Sequence, residues 1–340
     1  MTKSLRIAAN VLRLALGAAL VVWILRGQDL SVVKPVLSEP WLVLGLVGLG
    51  FFGVGVEAIR LKLLLASQEV RLPFWLSYRI VMIGTFFNVC IPGGTGGDVM
   101  KLYYLASCNR GRGVEVAMIL LVDRIVALFS LLFMMVAMAL VEGRLLREYL
   151  LVGWMIGGAA LLALAIVVGV VVSFSERVRG ARVFNWLLDK LPLSAHLHRA
   201  VDAVHDFRDH KAALLIGVLV SLSGHAALAF IFIGVAGVIL PGETGLRIAI
   251  LSFLGILANV IPLTPGGLGV GEAAFDKLFK MAGYSGGAML LVIWRLASLP
   301  LVVLGAVHYI LGISEAVRAH AAPPAAPKAR ADSVGTRGEG

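Results

Sequence analysis

The chain has 340 residues, 59% of them hydrophobic and 15% charged, with a mean hydropathy of +0.94. A soluble globular domain is usually about 45–50% apolar and about 25% charged. The composition therefore excludes an ordinary soluble enzyme, a disordered chain and a nucleic-acid-binding domain. Several apolar runs reach the roughly 20 residues that cross a bilayer core of about 30 Å. The 30 Lys and Arg against 20 Asp and Glu then read as basic loops on the cytoplasmic face of a membrane protein.

Lys3, Arg6 and Arg13 accompany an apolar run over 7–25 that continues into Arg26-Gly27-Gln28-Asp29. The absence of a small-residue cleavage site there predicts an uncleaved first span. Further full crossings are expected over 41–59, 114–141, 150–174, 212–239 and 288–313. Two shorter runs, 74–91 and 248–262, each end in a cluster: Pro92-Gly93-Gly94-Thr95-Gly96-Gly97 and Pro262-Leu263-Thr264-Pro265-Gly266-Gly267-Leu268-Gly269. Cys90 sits in an apolar segment and Cys108 in a short basic loop, so no disulfide framework is implied.

The two halves correspond. Pro92-Gly93-Gly94-Thr95-Gly96 aligns with Pro265-Gly266-Gly267-Leu268-Gly269 at an offset of 173, and Ala117 to Arg124 with Ala288 to Arg295 at 171. Asn88-Val89 is echoed by Asn259-Val260, again at 171. Short, glycine-interrupted segments in matching positions of two halves mark the binding region of many transporters. If both enter the membrane and leave on the same face, 21 Lys and Arg fall on the cytoplasmic side and seven outside, as the positive-inside rule demands. The expectation is six full transmembrane helices plus two re-entrant helical hairpins in an inverted repeat, with both termini cytoplasmic. The alternative is eight full crossings, which puts 60–79 and 98–113 on opposite faces. The halves run over about 5–174 and 212–315, within a transmembrane domain of 1–315.

Between the halves, 175–211 reads as a cytoplasmic insertion. Leu197, Val201, Val204 and Phe207 recur at helical spacing, predicting an amphipathic helix on the membrane surface. The Ala/Pro-rich and basic tail over 316–340 is expected to be a disordered cytoplasmic segment.

Chemistry concentrates at the clusters and at two arginines. Gly93, Gly94 and Gly96, with Gly266, Gly267 and Gly269, let backbone N–H groups approach an anion; they equally permit a sharp turn and close helix packing. Asp98 and Glu272 stand in matching positions and are readable as helix caps, proton sites or cation ligands. Arg124 and Arg295 each lie about 12–16 Å inside a helix, where an arginine faces a partner or an aqueous cavity. A guanidinium matches phosphate bidentately, so one arginine per face suits a lipid headgroup carrier. An internal pair with Asp98, Asp123, Glu57 or Glu272 is the competing and compatible reading. Glu57 and Arg60, at i and i+3, are expected to pair within their helix. Asn88 and Asn259 are expected to bond freed backbone groups, and His225 to be packed. His196, His198, His205 and His210 have no Cys neighbours and predict no metal site. No cofactor or catalytic motif is found.

The clusters Pro92 to Asp98 and Pro265 to Glu272, with the Asp123-Arg124 pair, resemble the lysylphosphatidylglycerol synthase transmembrane-region family over about residues 5–315. The resemblance implies a flippase-like membrane region of a bacterial cytoplasmic membrane, with Gly93, Gly94, Asp98, Arg124, Gly266, Gly267, Glu272 and Arg295 as motif positions. In the full-length synthases this region is joined to an aminoacyl-transferase domain that this sequence, ending at Gly340, does not carry. The chain is accordingly expected not to be an enzyme but to move an anionic phospholipid or lipid-linked headgroup between leaflets. Arg124 and Arg295 would bind it, while Asp98, Glu272, Asp123, Asn88 and Asn259 gate or couple. The other class is a non-transporting scaffold or accessory subunit for lipid-modifying or envelope-glycan enzymes, docked through 194–210 and the basic tail. Membrane lipids are the expected partners, and nucleic acid is not.

Overall fold

The computed structural model describes residues 34–90, 96–109, 111–176, 189–190, 194–240, 242, 245–259 and 269–312, without the side chains of 90, 195–197 and 259. The expected first span, both glycine turns (Gly93, Gly94, Gly266, Gly267) and the tail lie outside these residues. Thirteen helices and no strand are found among the described residues. A short α1 (Lys34–Leu37) leads into α2 (Pro40–Ser67), α3 (Phe74–Cys90) and α4 (Gly96–Cys108). Then come α5 (Gly113–Glu142), α6 (Arg144–Glu148), α7 (Leu150–Ser173) and α8 (Ser194–His205). The second half holds α9 (Lys211–Ile239), α10 (Gly245–Asn259), α11 (Val270–Met281), α12 (Gly287–Ala297) and α13 (Leu299–Ile310).

Among the described residues, five segments are long and apolar enough to cross a membrane: α2, α5, α7, α9 and the run Gly287–Ile310. Their outward faces carry Leu, Val and Phe, and α7 is the barest, with Leu161, Leu164 and Val171 exposed. Exposed apolar surface on this scale is what lipid covers. Trp41 and Trp154 are exposed near one end of the bundle and Trp75 and Tyr103 near the other, the pattern of aromatic belts at two interfaces. The protein is a multi-pass membrane protein.

The expected span 288–313 is not one continuous helix. It breaks at Ser298, because Pro300 has no N–H to continue the ladder. The two pieces pack mainly against different helices. On α12, a Cβ at Gly287 would lie 2.5 Å from the Phe275 carbonyl oxygen; on α13, one at Gly305 would lie 2.2 Å from that of Met82. The last span therefore ties α11 to α3 through two glycine contacts.

The short helices form two antiparallel hairpins. Gly97 of α4 faces Gly84 and Asn88 of α3, and Gly255 of α10 faces Phe275 of α11. The loops beside them fix their direction. Arg112, just after α4, donates from Nη2 to the Gln68 carbonyl (2.7 Å), and Gln68 Nε2 donates to the Asp206 carbonyl (3.1 Å). At the other end of α5, Arg247 at the start of α10 donates to Glu142 Oε1 (2.6 Å) and lies within 3.4 Å of the Tyr284 hydroxyl, just after α11. The first hairpin thus opens at one end of the bundle and the second at the opposite end. With 17 and 13 residues, α3 and α4 extend about 25 and 20 Å, against about 45 Å for the 30-residue α5.

Helices α2 and α9 pack antiparallel along a small-residue face, Gly217, Gly224 and Gly234 of α9 meeting Arg60, Val56 and Leu42. The expectation for 194–210 needs correction. Of the apolar residues expected to face the membrane, Val204 and Phe207 are buried in the protein core with Ala203, against α5 and α7. His205 joins it, its Nδ1 2.6 Å from the Ser173 carbonyl oxygen. Cys108 ends α4 buried, not in a loop.

The glycine contacts yield a direct check. Gly305→Ala forces a Cβ into the α3 backbone and is expected to cost about 1–3 kcal/mol, lowering the unfolding temperature of the purified protein in detergent. Gly157→Ala, with nothing within 4 Å of its added Cβ, is expected to leave that temperature unchanged.

Candidate functional site

Six ionisable side chains from three helices meet in the bundle interior. On α2, Glu57 and Arg60 stand one turn apart, but they do not pair with each other as their spacing suggests. Arg60 turns to α5, donating from Nε to Asp123 Oδ1 (2.6 Å) and from Nη2 to Oδ2 (3.0 Å). Its Nη1 donates to Ser221 Oγ of α9 (3.0 Å), which in turn donates to the Gly217 carbonyl (2.8 Å). All three guanidinium nitrogens are used, and both residues are nearly inaccessible. Glu57 instead takes Lys101 of α4 as its partner. The i,i+3 geometry fails because two opposite charges on neighbouring helices offer shorter, better-aligned bonds in a medium where charges cannot remain unpaired.

The remaining pair is Asp98 and Arg124. Arg124 Nε donates to Asp98 Oδ2 at 2.5 Å, and Asp98 Oδ1 lies 3.6 Å from Lys101 Nζ. Asp98 is the third residue of α4, where an acid also suits the helix N-terminus. Asn88 closes that terminus by accepting the Gly97 N–H on Oδ1 (2.8 Å), a structural role as expected. Gly97 admits no side chain there, since a Cβ would lie 2.5 Å from that same oxygen. Gly96 is buried beside it.

The second hairpin repeats one part of this arrangement. Glu272 is the third residue of α11; its Oε2 accepts the Gly269 N–H (2.7 Å), and its Oε1 binds Arg295 of α12. Gly269 holds φ 79°, a left-handed conformation that favours glycine. Each hairpin thus presents an acid, three residues into its second leg, to the arginine of the next helix. The rest is not repeated. At the 171-residue offset that aligns Arg124 with Arg295, Glu57, Arg60 and Asp123 fall on Leu228, Ile231 and Trp294. At the 174-residue offset from Asp98 to Glu272, Lys101 falls on Phe275. Phe232 packs between Phe275 (5.8 Å) and Trp294 (6.0 Å). One half is charged where the other is aromatic.

Between the halves lies a cavity of about 370 Å³. Glu57, Arg60, Lys101, Asp123 and Arg124 line one wall, and Leu228, Ile231 and Trp294 another. The arginines differ in access. The Arg124 side chain is 51% exposed, Arg295 only 10%, and Arg124 alone of the two reaches the cavity. His225 also lines it, with Nε2 3.1 Å from the Ala127 carbonyl oxygen. Of the expected site residues, Arg124, Asp98, Asp123 and Asn88 come together; Glu272, Gly269 and Arg295 form the second locus. Lys101, Ser221 and His225 were not expected as members. The signal for Lys101 was its place one turn after Asp98, on a helix too short to carry it out to water. Arg60 and Lys101 had also been counted as cytoplasmic loop charges; without them the split is 19 to seven.

A buried pair costs about 3–5 kcal/mol when one partner is removed, while an apolar replacement of both is far milder. Arg60→Met or Asp123→Leu alone is therefore expected to destabilise the detergent-solubilised protein by that order. The double substitution is expected to recover most of the loss in denaturant or thermal unfolding.

No curated protein and no solved structure matches this chain. The family model described as the lysylphosphatidylglycerol synthase TM region matches residues 10–305, which include every helix described up to the middle of α13. The two glycine-led hairpins and their acid–arginine pairs are thus features of a chain that belongs to the lysylphosphatidylglycerol synthase TM region family.

Proposed function

We propose that this membrane protein, from a family tied to lipid metabolism and flipping, carries a phosphate-bearing lipid between leaflets by alternating access. The anionic phospholipid or lipid-linked headgroup expected from the sequence is the starting class of substrate. One observation carries the reading: each hairpin latches its acid onto the arginine of the following helix, and the hairpins open at opposite ends. A site reachable alternately from two faces needs two such gates related by inversion.

The lengths support re-entrant hairpins. Legs of about 18–25 Å turn back short of the far end of α5, and a bilayer core is about 30 Å. Eight full crossings would separate 60–79 from 98–113, whereas Arg112 is bonded to Gln68. The charge split assigns the end holding Gln68, Arg112 and Asp206 to the cytoplasm.

In this scheme the first latch is accessible and the second is closed. A phosphate arriving at Arg124 competes with Asp98 for the guanidinium, and a displaced Asp98 has Lys101 3.6 Å away to receive it. The exchange leaves the displaced Asp98 beside a cation rather than alone in a low-dielectric interior. At the second gate Arg295 would release the phosphate and return to Glu272. The scaffold reading gains no observation: of its two docking segments, the tail lies outside the described residues, and Val204 and Phe207 of the other are buried in the protein.

The test is leaflet exchange of fluorescent phospholipids in proteoliposomes. Arg124→Ala and Arg295→Ala are each expected to lower the exchange rate about tenfold or more, the scale of one charge-assisted hydrogen bond. Exchange at the wild-type rate in both variants, with folding intact by size-exclusion chromatography, would remove the paired arginines from the mechanism.

A further inference from the structure

The cavity shows which of its groups are still open to a ligand. Arg60 and Asp123 satisfy each other and Ser221 completely. Arg124 has one bond, from Nε to Asp98, so Nη1 and Nη2 make none among the described residues. Glu57 accepts from Lys101 on Oε1, and its Oε2 makes no bond among the described residues. These two side chains are 51% and 31% exposed, both line the cavity, and each lies within electrostatic reach of the other. The site therefore offers a paired donor for a phosphate and a single anionic acceptor for a cation.

Charge balance narrows the ligand. Glu57, Asp98 and Asp123 offset Arg60, Lys101 and Arg124, so the cluster is neutral before any ligand arrives. A net anion would add an uncompensated charge to the membrane interior, which is costly; a zwitterion would not. Where the second half replaces charged positions, Leu228, Ile231 and Trp294 give the lining an apolar stretch of wall beside Ser221 and His225. That wall suits the start of an acyl chain. A volume of about 370 Å³ stands near the lower bound of the roughly 300–1,000 Å³ of small-molecule sites, enough for one compact headgroup and not for a glycan.

We propose that the cavity binds the headgroup of a net-neutral phospholipid carrying one phosphate and one protonated amine. The phosphate sits on the Nη groups of Arg124, the ammonium on Glu57 Oε2, and the chain against Trp294 and Leu228. This rests on the lipid-carrier reading above and revises its anionic substrate to a zwitterionic one.

Binding, which needs no translocation, tests it. The full chain in detergent is titrated calorimetrically with short-chain diacyl phosphoethanolamine, phosphocholine and phosphoglycerol lipids, and with chainless glycerophosphoethanolamine. The phosphoethanolamine lipid is expected to bind about tenfold tighter than either other lipid, the worth of a charge-assisted hydrogen bond that phosphocholine cannot donate. The chainless headgroup is expected to bind far more weakly. Glu57→Gln, which leaves the cluster with one net positive charge, is expected to abolish the preference by weakening phosphoethanolamine binding and strengthening phosphoglycerol binding; should that variant not fold, the wild-type ratio decides alone. A phosphoglycerol lipid bound as tightly as the phosphoethanolamine lipid would overturn the zwitterion assignment and leave the carrier intact. Equal binding of the chainless headgroup would overturn the lipid assignment. No binding of any lipid would remove both this inference and the carrier reading.

Discussion

Ionised groups in a membrane interior must be compensated on the spot, and this constraint organises the first half of the molecule. Three acids and three bases from α2, α4 and α5 settle into three pairs, with Ser221 of α9 completing the donors of Arg60. An arginine at mid-membrane costs about 2.5–3.5 kcal/mol on insertion scales when alone. Here each pair spans two helices, so the cost is offset only if the helices hold their positions. The same bonds that neutralise charge fix α4 against α2 and α5, and so hold the second leg of the first hairpin in place.

The second half solves the same packing problem without charges. Where α4 sends Lys101 toward α2, α11 places Phe275 against Phe232 of α9, and where α5 carries Asp123, α12 carries Trp294. Of the charged cluster, only the acid–arginine latch is kept in both halves. The latch thus recurs in two halves that otherwise differ at these positions, while the polar network stands in one. The cavity between them is amphipathic as a result, with ions on one wall and Trp294, Leu228 and Ile231 on the other.

Much of this is legible in the sequence, for identifiable reasons. Apolar runs of bilayer length announce the spans, and the paired glycine clusters announce the hairpins. Arg124, Arg295, Asp98 and Glu272 stand out because charges inside apolar segments are conspicuous and recur at matching offsets. Partner choice is not legible. The i,i+3 spacing of Glu57 and Arg60 is satisfied by a single helix, yet both turn to other helices, since only the assembled bundle brings Asp123 and Lys101 within reach. Periodicity in 194–210 shows that one face is buried but not what buries it, and protein takes the place expected of lipid. The break at Ser298 had a local signal in Pro300, masked by the apolar residues around it.

The central claim is that water reaches a cavity in the middle of this bundle while lipid covers its outside. Helix α2 tests this on two faces. Gly53 lines the cavity and Gly48 is exposed on the outer surface, and nothing lies within 4 Å of a Cβ added at either. Single cysteines at these positions, in a background without Cys90 and Cys108, can be probed in membrane vesicles with a charged, impermeant thiol reagent. Modification of Gly53→Cys with Gly48→Cys unreactive is the expected result. A Gly53→Cys protein as inert as Gly48→Cys would contradict the water-filled site, and with it the carrier built around Arg124.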